Sequence, residues 1–488
     1  MKGITIKTNA KAYNNFKKFS SEIKKRSKPL PWIIFATFVI LVLFFTHIIN
    51  LQHAPPNVTG DEVTSLNDVI RITYFPQNVR FFSLMGDGSQ AAINFYYISF
   101  ITRPFFNLNA ILGMRLSSVF LSLGVLIAFY FYLTTKVNKF SSLAATFLLG
   151  MNTTFLNFSR ASWMSNGQGL GLIEGLFSFI FLEYSVAKAR WIWTIPAGLL
   201  IGLTFYGYMG NVIFPFSCFV YLSYLALRHR LKWKIVFLQM SLLLLSAFII
   251  FLPQFIFNLH HFDQYTLRSR STSILSVSKP YYGQTSMLSI VGHQLEYTVS
   301  GFLILNPAVV GEGSENQRYV SPQGSVDIIT RLLFILGLGT AIFLVRKAIL
   351  LPSMAFFGAI ILNFLSQFPP NFARGLFALL FIYIIIAILI EKIWLLKILD
   401  VYGRLTLVLL IVSLGLWNGW YYFQWQGSSQ LAQARQPAIQ YEQVPCWVKL
   451  SKEHSALNQS DLVITSEEWN QLTGITCIRE DDEKLPNK

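Results

Sequence analysis

Long apolar runs separated by short polar turns occupy most of the chain between residues 32 and 423. A helix needs about 20 mainly apolar residues to cross a bilayer. Runs of that kind lie near 32–51, 112–134, 140–157, 168–187, 191–208, 210–227, 235–256, 327–345, 349–366, 375–391 and 404–423. The pattern predicts an all-α polytopic membrane protein with about eleven transmembrane helices. Three stretches interrupt it. Residues 52–111 are rich in aromatics, Asn and Pro; 257–326 are polar, with the Gly, Ser and Tyr punctuation of a functional loop; 424–488 mix short apolar runs with acids.

The short turns give this bundle a direction. Alternate connections hold Lys136 and Lys139; Lys188 and Arg190; Arg228, Arg230, Lys232 and Lys234; Arg346 and Lys347; Lys392, Lys397 and Arg404. Each is basic, as cytoplasmic loops are under the positive-inside rule. The first 28 residues add eight lysines and Arg26 against the single acid Glu22. A basic segment directly before an apolar span is an orientation signal, and it accounts for charge that would otherwise suggest nucleic acid. The expected organisation is a basic cytoplasmic tail (1–31), a transmembrane domain (32–423) with external loops 52–111 and 257–326, and a small external C-terminal tail (424–488). On this scheme the protein is a multi-pass protein of the cytoplasmic membrane, N-terminus inside and C-terminus outside. Cys446 and Cys477 then share the oxidising side, where a disulfide is chemically allowed, whereas Cys218 falls within a span.

Composition agrees. Of 488 residues 53% are hydrophobic and 13% charged, and Phe alone occurs 44 times. A soluble domain carries about 25% charged residues. A bilayer removes the need to cover the surface with polar atoms.

Candidate chemistry gathers on the predicted outer side. Gly60-Asp61-Glu62 follows the first span. One of its carboxylates suits a general base toward an acceptor hydroxyl, the pair suits a divalent metal, and a solvated turn is the plain alternative. Around it, Asp68, Asp87, Arg71, Arg80 and Arg103 alternate with Tyr74, Phe75, Phe81, Phe82, Tyr96 and Tyr97. That mixture fits helices lying in the interface plane. Arg160 stands at the outer end of the third run, either as a phosphate anchor or as a snorkelling residue. His260, His261, Arg268 and Arg270 follow the seventh run, and Arg374 precedes the tenth. Adjacent histidines do not share a helix face, which argues against a zinc pair. Arg374 near a helix N-terminus calls for a compensating anion, either a phosphate or one of Asp61 and Glu62.

The motifs Asp61-Glu62, Met114-Arg115-Leu116-Ser117-Ser118, Phe158-Ser159-Arg160, the Leu267-to-Ser271 stretch and Phe372-Ala373-Arg374-Gly375 occur in this order. Together, over roughly residues 30–392, the chain resembles glycosyltransferase family 39 and related polyprenyl-phosphate-sugar transferases. The protein O-mannosyltransferases and the aminoarabinose transferases of lipid A are among them. The resemblance implies a GT-C-type bundle and a lipid-linked sugar donor in the membrane. It also implies Asp61 as catalytic base with Glu62 beside it, and a donor phosphate held among Arg160, Arg268, Arg270 and Arg374, with His260 and His261 as further substrate contacts. The acceptor is a protein, lipid or glycan hydroxyl, no nucleic acid takes part, and a divalent metal is left open. Where the family often has a His-Pro-Pro segment, this chain has Ser89-Gln90-Ala91-Ala92-Ile93-Asn94-Phe95-Tyr96-Tyr97.

A transporter or lipid flippase is the rival from another class. It calls for ionisable residues near mid-span; Glu174 and Glu183 are the main ones.

Overall fold

A computed structural model describes residues 29–56, 58–74, 76, 79, 81–85, 90–106, 109–228, 232–274, 286–304, 321–344, 349–366, 369–372, 374–396, 399–427 and 448. Most of the basic N-terminal tail, Arg80, Asp87, Cys446 and Cys477 lie outside these residues.

Every predicted span coincides with helix. The first is α1 (Pro29–Ile48), and the 52–111 stretch then contributes α2 (Gly60–Tyr74) and α3 (Ala92–Thr102). Between these two, β1 (Leu84–Met85) and β2 (Gln90–Ala91) pair antiparallel, with Met85 opposite Gln90. The bundle continues with α4 (Ala110–Thr134), α5 (Lys139–Gly150), α6 (Thr153–Arg160), α7 (Gly169–Lys188), α8 (Thr194–Thr204), α9 (Ile213–Leu227) and α10 (Trp233–His260). Next, α11 (Phe262–Thr272) and α12 (Met287–Val299) come from the 257–326 stretch. Finally α13 (Ile328–Leu344), α14 (Leu350–Phe364), α15 (Leu376–Trp394) and α16 (Val401–Gln426) complete the described helices. Among the described residues, six helices are long and apolar enough to cross a membrane: Ala110–Thr134, Met164–Lys188, Met209–Leu227, Trp233–His260, Leu376–Trp394 and Val401–Gln426. Trp32–Ile48, Trp191–Thr204, Ile328–Phe343 and Leu350–Phe364 are shorter apolar helices.

One predicted span is not a single helix. The run 140–157 breaks after Gly150, and Asn152 starts the next helix by accepting a hydrogen bond from Phe155 N at 3.0 Å. An Asn side chain satisfies a first-turn N–H that has no partner inside the helix, so it marks a start rather than an interior position.

The core explains why α15 is apolar all round. Every residue from Leu376 to Ile390 is buried, with α5, α13 and α14 packed around it. A helix without a polar face belongs at the centre of a bundle. Phe377 meets Phe179 and Phe214 edge-on at 6.0 and 5.5 Å, and Phe381 stacks on Phe356 at 4.5 Å.

The two ends of the bundle differ in chemistry. At one, Lys136 pairs with Glu183, Asn138 N donates to Glu391 at 3.0 Å, Phe140 stacks on Trp394 at 3.9 Å, and Arg404 lies 5.4 Å over the same indole. These are residues of the basic turns and their neighbours. At the other end lie α2, α3 and the loops that carry the candidate chemistry. Glu183 is thus accounted for by Lys136. Glu174 makes no ion pair or hydrogen bond among the described residues. Cys218 is a buried free thiol.

Candidate active site

The site is built on two buried arginines. Arg115 of α4 donates from Nε to Glu62 Oε1 at 2.9 Å and from Nη2 to Glu62 Oε2 at 3.4 Å. Its Nη1 reaches the carbonyls of Leu51, Gln52 and Pro55 at 3.0, 3.0 and 2.9 Å. Arg160, the last residue of α6, donates from Nε to Ala54 O at 2.9 Å, from Nη1 to Thr46 O at 2.7 Å and from Nη2 to Ile49 O at 2.6 Å. Its guanidinium also lies 5.0 Å from the Phe423 ring and 5.6 Å from the Tyr422 ring. Both arginines are wholly buried. The six carbonyls belong to the C-terminal end of α1 and the segment after it, where a helix presents unpaired acceptors and the negative end of its dipole. Charge-assisted bonds to these oxygens, together with the aromatic faces, replace the water that two buried cations would otherwise demand. Burial draws the Arg160 pKa below its ordinary value, Tyr422 opposes this and Arg115 adds to it.

Glu62 closes this frame onto α2. Thr59 N donates to Glu62 Oε2 at 3.0 Å, and Glu62 N donates back to Thr59 Oγ1 at 3.3 Å. This reciprocal pair is the capping box of a Thr-x-x-Glu start. Ser162 Oγ adds a donor to Glu62 Oε1 at 3.4 Å. The carboxylate is therefore buried and engaged by Arg115, Thr59 and Ser162, while its neighbour Asp61 is half-buried in the first turn. Among the described residues no group of three or more His, Cys, Asp and Glu comes together as a metal-ligand set.

Beyond Asp61, hydrogen bonds join α2 to the turns that follow α6 and α8. Ser65, one turn on and on the same face, donates to Asn166 Oδ1 at 3.0 Å. Asn166 belongs to a π-helical turn, Met164–Gln168, and Gly167 has φ +78°. Gly167 O accepts from Asn211 Nδ2 at 3.0 Å and from Tyr208 N at 3.4 Å. A Cβ on Gly167 would stand 2.8 Å from Tyr208 N and 2.9 Å from Gly207 Cα, so both the backbone conformation and the space require glycine. One residue before Asn211, Gly210 faces the carbonyl of Arg374, 2.9 Å from where its own Cβ would lie. Arg374 is half-buried, and its N–H donates to Asn371 O at 3.0 Å. The 369–375 turn is braced in its turn: Asn371 N donates to Asn363 Oδ1 at 2.8 Å, and Phe372 meets Phe302 at 4.8 Å. The turn that holds Asn166 thus links α2 to the 207–211 segment, and Gly210 of that segment packs on the backbone of Arg374.

Sequence similarity is silent: no family model and no curated protein matches the chain. Solved structures do match. ArnT from Cupriavidus metallidurans bound to undecaprenyl phosphate has 12% identity and a TM-score of 0.52, the match covering 92% of this chain and 76% of that one. The chain has the GT-C fold. The apo state of the same aminoarabinose transferase gives 12% identity and a TM-score of 0.49 over 93% and 76% of the two chains. The oligosaccharyltransferase AglB from Archaeoglobus fulgidus, in complex with an inhibitory peptide and a dolichol-phosphate, gives 15% and 0.46 over 82% and 56%.

Within this GT-C fold the remaining sequence-predicted residues spread out. His260 and His261 end α10, each with Nδ1 on the carbonyl one turn back, Ile256 at 2.8 Å and Phe257 at 3.0 Å; the His261 ring also stacks on Phe257 at 4.2 Å. Arg268 and Arg270 lie on α11. The Arg270 guanidinium is exposed, 3.5 Å from Asp263 Oδ1 and 5.9 Å from the Phe262 ring centroid. Arg115 is the functional residue that sequence reading passed over. It lay inside a recognised motif, but its partner is 53 positions away and nothing local names it.

Proposed function

We propose that this protein is a membrane glycosyltransferase that moves a sugar from a polyprenyl-phosphate donor to an acceptor hydroxyl on the extracytoplasmic face, with inversion. One observation supports the reading: in a GT-C fold, the Arg115–Glu62 pair and the Thr59 cap hold the first turn of α2 and leave Asp61 half-buried. Asp61 takes the proton of the acceptor hydroxyl as its oxygen attacks the anomeric carbon. The new C–O bond forms as the bond to the phosphate oxygen breaks, and the departing polyprenyl phosphate carries the electron pair. A single displacement inverts the anomeric centre. Cations near the leaving phosphate accelerate the step because charge grows there in the transition state.

Arg374, Arg268 and Arg270 are the phosphate ligands of this reading. Arg160, with all three nitrogens on main-chain oxygens, and Glu62, with both oxygens engaged, are positioning residues. Orientation follows the basic turns, N-terminus inside.

The test is transfer by the full-length protein in lipid nanodiscs supplied with a polyprenyl-phosphate sugar. Asp61→Asn should abolish transfer, by at least about 100-fold for loss of a general base, with unchanged thermal unfolding. Full activity in a well-folded Asp61→Asn protein would remove the base assignment.

A further inference from the structure

We propose that the buried amides of Gln90 and Gln254 form a sugar subsite of this reaction centre, their side-chain carbonyls accepting hydrogen bonds from sugar hydroxyls. The inference rests on the glycosyltransferase reading and adds to it where the sugar sits.

Both side chains are buried, and among the described residues the Oε1 atom of each has no hydrogen-bond partner. A buried carbonyl oxygen without a donor is costly, and such groups in a native fold call for an absent ligand or water. The orientation of Gln254 is fixed. Its Nε2 donates to Phe82 O at 3.1 Å and to Asn258 Oδ1 at 2.8 Å, and turning the amide over would lose both bonds. Its Oε1 is therefore held as an acceptor facing elsewhere, and only a donor completes it.

The two residues meet one aromatic pair, Gln254 through its bond to Phe82 O and Gln90 through its neighbour Ala91, which bonds Tyr206 O. The Phe82 ring lies 6.3 Å from the Tyr206 ring, and Tyr206 lies 6.3 Å from Phe251. Tyr206 O accepts from Ala91 N at 3.3 Å and from Asn94 Nδ2 at 2.7 Å, which sets Gln90 beside it. Tyr206 OH in turn donates to Ile250 O at 2.7 Å, tying this wall to α10 one turn before Gln254. Aromatic faces with a few convergent polar groups are the composition of a small-molecule site. Sugars present both halves of that match, C–H faces to rings and hydroxyls to amides.

The wall also reaches the turn that bonds α2, the helix that carries the candidate base. Asn94 Nδ2 stands 3.0 Å from where a Cβ on Gly167 would lie, and Gly167 follows Asn166, the partner of Ser65 one turn from Asp61. Gln239 has an Oε1 in the same state, but it lies beside Ser185 and Thr194, toward the basic-turn end and away from this wall. Company, rather than the orphan oxygen alone, distinguishes Gln90 and Gln254.

The test compares two probes on the full-length protein in nanodiscs, bare undecaprenyl phosphate and undecaprenyl-phosphoryl mannose or glucose. Wild type should bind a sugar-loaded lipid more tightly than the bare one. Gln90→Met and Gln254→Met should weaken the sugar-loaded lipid by about tenfold or more, as expected when a hydrogen-bonding site loses its partner, and leave bare-lipid affinity within about twofold. If wild type discriminates and both variants keep its affinities, water fills the amides; the subsite is wrong and the glycosyltransferase reading stands. Equal loss of both lipids in both variants assigns the amides to the fold and likewise overturns the subsite. If wild type binds neither lipid, the reading and the subsite fall together.

Discussion

Glu62 holds the first turn of α2 to its neighbours. Its carboxylate meets Arg115, Thr59 and Ser162 at once, and the residue before it is the candidate base. Removing Arg115 leaves a buried anion without its cation. Arg115→Met should therefore destabilise the protein by about 3–5 kcal/mol, read as a fall in the unfolding midpoint in detergent, whereas Asp61→Asn should leave that midpoint in place. The acids were visible in the sequence as a pair. The separation of their roles was not, because it depends on a guanidinium supplied by a different helix. Arg160 illustrates the same limit: an outward arginine reads as an anion ligand until its oxygens prove to be the carbonyls of Thr46, Ile49 and Ala54. Burial also pushes the Tyr97 phenol up to about 12, so the group stays neutral while its hydroxyl donates to Ser117 O at 3.1 Å.

At the scale of elements, the apolar runs overlap helices of the bundle, with 140–157 split in two, but do not show how closely the helices approach. Helices α8 and α10 approach closely. Gly198 and Gly202, four apart on one face, bring the α8 backbone against Leu243, Ser246 and Ala247; a Cβ on Gly202 would stand 2.5 Å from Ala247 O. In a bilayer such packing, rather than expulsion of water, holds helices together. Gly202→Leu should part the two helices and lower the unfolding midpoint more than Gly339→Leu, where a Cβ meets nothing within 4 Å; differential scanning fluorimetry of the two variants checks it. The run at 140–157 was legible in the sequence, though not its break at Asn152. The π turn at Met164–Gln168 was not, since it answers to Tyr208, Asn211 and Ser65 together.

For the whole molecule, the basic turns and the candidate chemistry occupy opposite ends, which converts charge counting into a spatial statement. In a protein with its three cysteines replaced by serine, Asp263→Cys should react with an impermeant maleimide on intact cells. Tyr402→Cys should react only after permeabilisation. Both positions are exposed at their ends of the bundle, so access alone decides the result. Reversed labelling would turn the orientation over and move the site inside. The pattern of turns made this much legible, because insertion responds to lysine and arginine count and not to fold. The arginine frame has a different kind of consequence. Arg115 and Arg160 grip six main-chain oxygens between Thr46 and Pro55, and main-chain oxygens are common to all residue types. Side chains such as Gln52 can therefore be exchanged over generations while the backbone beneath them, and Asp61 beyond it, keeps its place. The rim of the site is free to drift toward new acceptors without disturbing the residue that would deprotonate them.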